Sequence, residues 1–101
     1  MNTSAFSPEV AEKIRNVVIF EGLELEELGI ELEEIELDTM LFEETGLDLD
    51  SVDALEVLAG VQREFCVTFP EIDSDFIATN ASTVRQLATT VSLHLEASAA
   101  A

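Results

Sequence analysis

A chain of 101 residues fits one small domain. Its 48% hydrophobic content supports a modest core, and a domain of this size is only marginally stable. Twenty-two acids against four bases give a formal charge of −18, which makes nucleic acid and anionic lipid poor partners and basic protein surfaces good ones.

Two prolines and four glycines argue against a loop-rich or disordered chain. The longest apolar run, Val17 to Phe20, is far too short to span a bilayer. The N-terminus has no charged segment leading into an apolar one, so no signal peptide is expected. Cys66 is the single cysteine, which rules out an internal disulfide and fits a reducing, cytoplasmic setting. The charge is uneven: no Lys or Arg stands between Arg15 and Arg63.

Residues 1–7 carry little pattern and read as a flexible end, with Ser7 also placed to cap a helix. Pro8 at the first helical position and Glu9 in the first turn mark the start of that helix. Val10, Ile14, Val17 and Val18 then keep helical spacing, which predicts a first helix from Pro8 to about Glu21. Residues 22–37 alternate Leu and Glu around Gly22 and Gly29. They read as one or two short helical turns in a long loop; the alternative is a first helix that continues to Leu28 and stops at Gly29. Leu41 and Phe42 are placed to plug the core from that loop.

Gly46 then opens a turn into Asp50 and Ser51. Asp50 is suited to cap a helix, and Asp53, three residues on, occupies the reciprocal position of a capping box. Ser51 therefore stands at the start of a helix, where the dipole favours an anion such as a phosphate. The spacing predicts a second helix from Ser51 to about Phe65, with Leu55, Leu58, Val61 and Phe65 toward the core. Val52 and Ala59 fall on another face beside Asp53 and Glu56, a pattern suited to docking. Cys66 reads as a small, half-buried apolar residue. Asp73 or Ser74 caps a short third helix. Ala81-Ser82-Thr83 opens a last helix, on which Val84, Leu87, Ala88, Val91 and Leu95 keep spacing to about Glu96. Residues 97–101 read as a flexible tail.

Other chemistries find few residues. His94 is the single histidine and reads as a solvated or dipole-compensating side chain. One His and one Cys are too few for a usual zinc site. Asp48, Asp50 and Asp53 suggest a calcium loop, but Val52, Asp53 and Ala59 stand where an oxygen ligand, Gly and Glu are required.

Asp50-Ser51-Val52-Asp53-Ala54-Leu55-Glu56 resembles the Asp-Ser-Leu-Asp motif of acyl carrier proteins. The segment Asp38-Thr39 through Leu41-Phe42 to Gly46 resembles what precedes the serine in that family, and Thr83-Val84 with Leu87 resembles the opening of its last helix. Leu37 and Met40 stand where prolines are usual, and Cys66 stands where Gly is usual. The resemblance implies an all-α, four-helix acyl-carrier-type bundle over residues 8–96: three main helices, one short one and a long first loop. It implies 4′-phosphopantetheine, derived from coenzyme A and esterified to Ser51, with Asp50 beside it. It implies a non-catalytic, monomeric carrier for fatty-acid or specialised lipid and polyketide synthesis. The expected partners are a phosphopantetheinyl transferase, a ketosynthase and acyltransferase or acyl-ligase enzymes, reading Val52, Asp53, Glu56 and Ala59. An amino-acyl carrier and an acidic interaction module without a prosthetic group are the alternatives.

Overall fold

The computed structural model describes residues 7–69 and 71–100. The expectation of a flexible end lies, for residues 1–6, outside them, as does Ala101 in the tail. The described residues form four α-helices joined by loops and short helical turns: α1 (Pro8–Lys13), α2 (Ser51–Phe65), α3 (Ser74–Asn80) and α4 (Val84–Ala100).

Ser7 caps α1, its Oγ accepting from the Val10 N–H at 3.4 Å. The helix continues to Glu21 as a wider π-helix over Ile14–Glu21. The wider turn places residues five apart on one face, so Ile14 and Ile19 are both fully buried. It also turns Val17, expected on the core stripe, out to 38% exposure.

The long first loop is helical in pieces, at Leu25–Leu28 and Leu32–Glu34. Gly29, at φ 85°, ends the first piece in the left-handed region that glycine enters without strain. Leu25 and Ile35 anchor the loop in the core, each fully buried. The first helix stops at Glu21 and does not run on to Leu28.

Helix α2 faces the core with Ala54, Val57, Leu58 and Val61, a stripe spaced by three and four residues. Leu55 is not part of it and is 54% exposed. A single residue is worth about 100° of helix rotation, so the expected stripe is displaced from the real one. Phe65 is partly buried and packs on the core as expected. Cys66 caps α2 in the left-handed conformation and is exposed, not half-buried. The geometry of a helix end, where Gly is favoured, decides that position.

Asp73 caps α3 through the Phe76 N–H at 2.9 Å. Thr83 caps the start of α4, its Oγ1 accepting from the Gln86 N–H at 3.1 Å. Helix α4 buries Val84, Leu87, Ala88 and Val91 and runs to Ala100, past the expected end at Glu96. Leu95 is turned partly outward; His94 takes the inward place instead. Its ring meets Phe69 edge-on at 5.0 Å, and Nδ1 lies 3.0 Å from the Thr90 carbonyl. His94 is thus a packing residue and not a solvated one.

Candidate functional site at the start of the second helix

The loop before α2 is sewn to the start of α4. The Arg85 backbone N–H donates to the Leu37 carbonyl at 3.0 Å, and the Leu41 N–H donates to the Ser82 carbonyl at 2.9 Å. The Arg85 guanidinium grips Asp38 with two bonds, Nε to Oδ1 at 2.7 Å and Nη2 to Oδ2 at 2.9 Å. That hydrogen-bonded guanidinium holds the Asp38 carboxyl below its ordinary value of 3.8. Leu41 is fully buried, and Phe42 packs partly against the same core. The chain then doubles back: Leu47 N–H donates to the Met40 carbonyl at 2.9 Å, and Leu49 N–H to the Leu41 carbonyl at 3.0 Å. Gly46 sits at this return because a Cβ there would lie 1.8 Å from the Met40 oxygen. The loop thus reaches Asp50 from a fixed direction, without the prolines absent at positions 37 and 40.

Asp50 and Asp53 form the capping box expected of them. The Asp53 N–H donates to Asp50 Oδ1 at 2.9 Å, and the Asp50 N–H donates to Asp53 Oδ2 at 3.2 Å. Both carboxylates are committed to backbone donors, which leaves the next residue unencumbered. Ser51 is exposed, and among the described residues no hydrogen bond engages its hydroxyl. It borders an open, mostly apolar cleft of about 450 Å³, walled by Phe42, Leu49, Ala54 and Ile77. An apolar cleft beside an accessible hydroxyl at the positive end of a helix is a place to attach a phosphate ester and shelter an attached chain.

The outward face of α2 carries Val52, Leu55, Glu56 and Ala59, spaced i, i+3, i+4 and i+7. Val52 is 62% exposed. Asp53 is half-buried at its edge. The sequence pattern marks Val52, Glu56 and Ala59 for docking, and all three are exposed; it leaves Leu55 out. A signal for Leu55 is present in the 52–55–59 spacing, which a second stripe explains as well as a core position does. Gln62 lies on the last turn of the same helix. Its Oε1 accepts from the Phe69 N–H at 3.0 Å, so it holds the loop after α2 in place.

Among the described residues no group of three or more His, Cys, Asp or Glu side chains is arranged to hold a metal. Nor is any helix there long and apolar enough to cross a membrane.

The family model described as phosphopantetheine attachment site matches residues 25–91. The chain belongs to this family. Domains of this family carry a covalently attached 4′-phosphopantetheine and act as carriers. The match spans most of the long loop, the Asp50–Ser51 helix start, α2, α3 and about the first half of α4. The residues present fit the prosthetic group: an exposed hydroxyl, uncommitted among the described residues, lies inside the matched segment, at a helix N-terminus suited to a phosphodiester.

Proposed function

We propose that this carrier holds acyl intermediates as thioesters on a 4′-phosphopantetheine arm joined to Ser51, and serves fatty-acid or specialised lipid and polyketide synthesis in the cytoplasm. The observation that carries the assignment of Ser51 is its exposed hydroxyl on the first turn of α2, unbonded among the described residues and presented by the Asp50–Asp53 box. The arm supplies a thiol at its tip, where acyl cargo is bound. Ser51 would hold the arm through its Oγ, which would form a P–O bond to the pantetheine-side phosphorus of coenzyme A as the pyrophosphate P–O bond breaks. The nucleotide end would leave as adenosine 3′,5′-bisphosphate, and the hydroxyl proton would pass to a base of the transferase. The partial positive charge at the start of α2 stabilises the resulting phosphodiester. Asp50 positions Ser51 by capping the helix and does not react.

Val52, Leu55, Glu56, Ala59 and Asp53 form the surface read by the transferase and by synthase, acyltransferase or acyl-ligase partners. Acids orient a basic partner, and the apolar side chains hold it.

A second Asp-Ser pair makes the test specific. Asp73 caps α3 as Asp50 caps α2, and Ser74 is also exposed and borders the same cleft. Helix α3 has 7 residues against 15 for α2, and its start has no reciprocal capping box. Intact mass after incubation with coenzyme A and a broad-range transferase should rise by one phosphopantetheinyl group. Ser51→Ala should abolish the gain and Ser74→Ala should keep it. A gain that survives Ser51→Ala overturns the assignment.

A further inference from the structure

We infer that the first loop is a second docking face, built to receive a basic amphipathic helix of an enzyme that acts on this carrier. The inference rests on the carrier reading and extends its partner side to a surface outside α2.

Its centre sets apolar side chains among acidic ones. Phe20, Ile30 and Leu32 wall an open cleft of about 430 Å³, and Glu26, Glu31 and Glu33 stand at its lips. Next to it, on the short turn Leu25–Leu28, Leu28 is 68% exposed, the most exposed large apolar side chain described. A Leu left in water at this level forgoes a substantial gain in stability that burial against a partner would return.

Its surroundings are acidic and uncompensated. Eight glutamates lie between Glu21 and Glu36, and all are exposed. Among the described residues none of them is in an ion pair. The nearest arginine, Arg15, is turned inward, donating to the Leu32 and Ile35 carbonyls. That contact, with buried Leu25 and Ile35, holds the loop as a shaped surface rather than a solvated tether. A groove with Phe20, Ile30 and Leu32 in its walls and glutamates at its lips complements a helix with an apolar stripe flanked by Lys or Arg. The same charge repels nucleic acid and anionic lipid.

The face adjoins the α2 surface. Gly22 and Leu23 share a small pocket with Glu56 and Arg63. A partner seated on α2 therefore reaches the loop without a gap.

The test uses the full-length chain, isotope-labelled, with and without the prosthetic group. The probe is a synthetic amphipathic helix with lysines on one face and leucines on the other. Titration should shift the amide signals of Leu28, Gly29, Ile30 and Leu32. Leu28→Asn, at an exposed position, should keep the fold and weaken binding about ten-fold, the equivalent of one Leu burial. Leu93→Asn, which removes an exposed apolar residue of α4, should leave affinity within about two-fold, as a surface change away from the contact does. Signal shifts confined to α2, or full affinity in Leu28→Asn, overturn the inference. Peptide binding needs no modification of Ser51, so a failed mass gain there and a failed titration are separate results.

Discussion

Glu24, Asp48 and Cys66 are the described residues with side chains that adopt positive φ. Cys66 is the most instructive. At φ 57° and ψ 42° it closes α2, and its thiol is exposed. A left-handed conformation strains an L-residue by roughly 1–2 kcal/mol, while glycine enters it freely. Glycine also loses more backbone entropy on folding, which offsets part of the gain. Cys66→Gly should therefore stabilise the chain by about 0.5–1 kcal/mol, seen as a higher urea midpoint at unchanged slope. An unchanged or lower midpoint means the thiol packs in a way its exposure does not suggest. Asp38 gives a second prediction at this scale. Its carboxyl is held below its ordinary value by the bond to Arg85, so the folded chain binds that proton less readily than the unfolded one. The clamp's contribution is present above the ordinary range and is lost as pH falls through the lowered value. Both groups are exposed, so the contribution is small. Asp38→Asn should flatten the decline in stability between about pH 5 and about pH 3, measured by thermal melts at each pH. An identical decline in the variant removes Asp38 from the acid response.

At the scale of the element, α2 carries two apolar stripes. Leu58, on the inner one, is 1% exposed, and Leu55, on the outer one, is 54% exposed. Leu58→Ala should cost about 2–5 kcal/mol, and Leu55→Ala no more than about 0.5 kcal/mol. Leu55→Ala should instead slow phosphopantetheinyl transfer to Ser51, in a rate assay with the transferase. Equal losses of stability would place Leu55 in the core and remove it from the proposed partner surface. The same helix shows what a linear reading reaches. Caps are local: Ser7, Asp50 with Asp53, Asp73 and Thr83 each act within three residues, and all are legible in the sequence. Helix limits follow from them at Pro8, Ser51 and Ser74. The two short turns of the first loop are legible from its leucines and glycines. Facing is not local. Leu55 and Leu58 have the same chemistry, and only the neighbours across the bundle decide which one is buried. The π-helical turn that rotates Val17 outward leaves no mark in composition. The role of Gln62 depends on Phe69, which a turn of the chain brings to it. Of the proposed site, the hydroxyl and its cap can be read from the motif, and the cleft beside it cannot, because Phe42, Leu49 and Ile77 meet only in the fold.

For the whole molecule, charge is the dominant imbalance. Of the four bases, Lys13 pairs with Glu64 at 3.0 Å, Arg85 pairs with Asp38, and Arg15 serves backbone carbonyls. Arg63 is exposed, and apart from it the remaining field is of one sign. The radius of gyration is 13.0 Å, so charges on opposite sides of the bundle lie within reach of one another when screening is weak. Screening extends over about 30 Å at 0.01 M salt and about 8 Å at 0.15 M. Folding gathers these charges together, and their mutual repulsion opposes the compact state. Salt weakens that repulsion more than it weakens two exposed ion pairs, which contribute little. The melting temperature should therefore rise by several degrees as sodium chloride goes from about 0.01 M to about 0.15 M, since about 1 kcal/mol moves the midpoint of a domain this size by roughly 4–8 °C. Binding of the lysine-rich helix should move the opposite way over the same range, because there the salt screens an attraction. Differential scanning calorimetry and the peptide titration, run in the same buffers, check both slopes. A melting temperature that falls with salt would mean that specific ion pairs, and not the diffuse acidic field, govern the electrostatics of the fold.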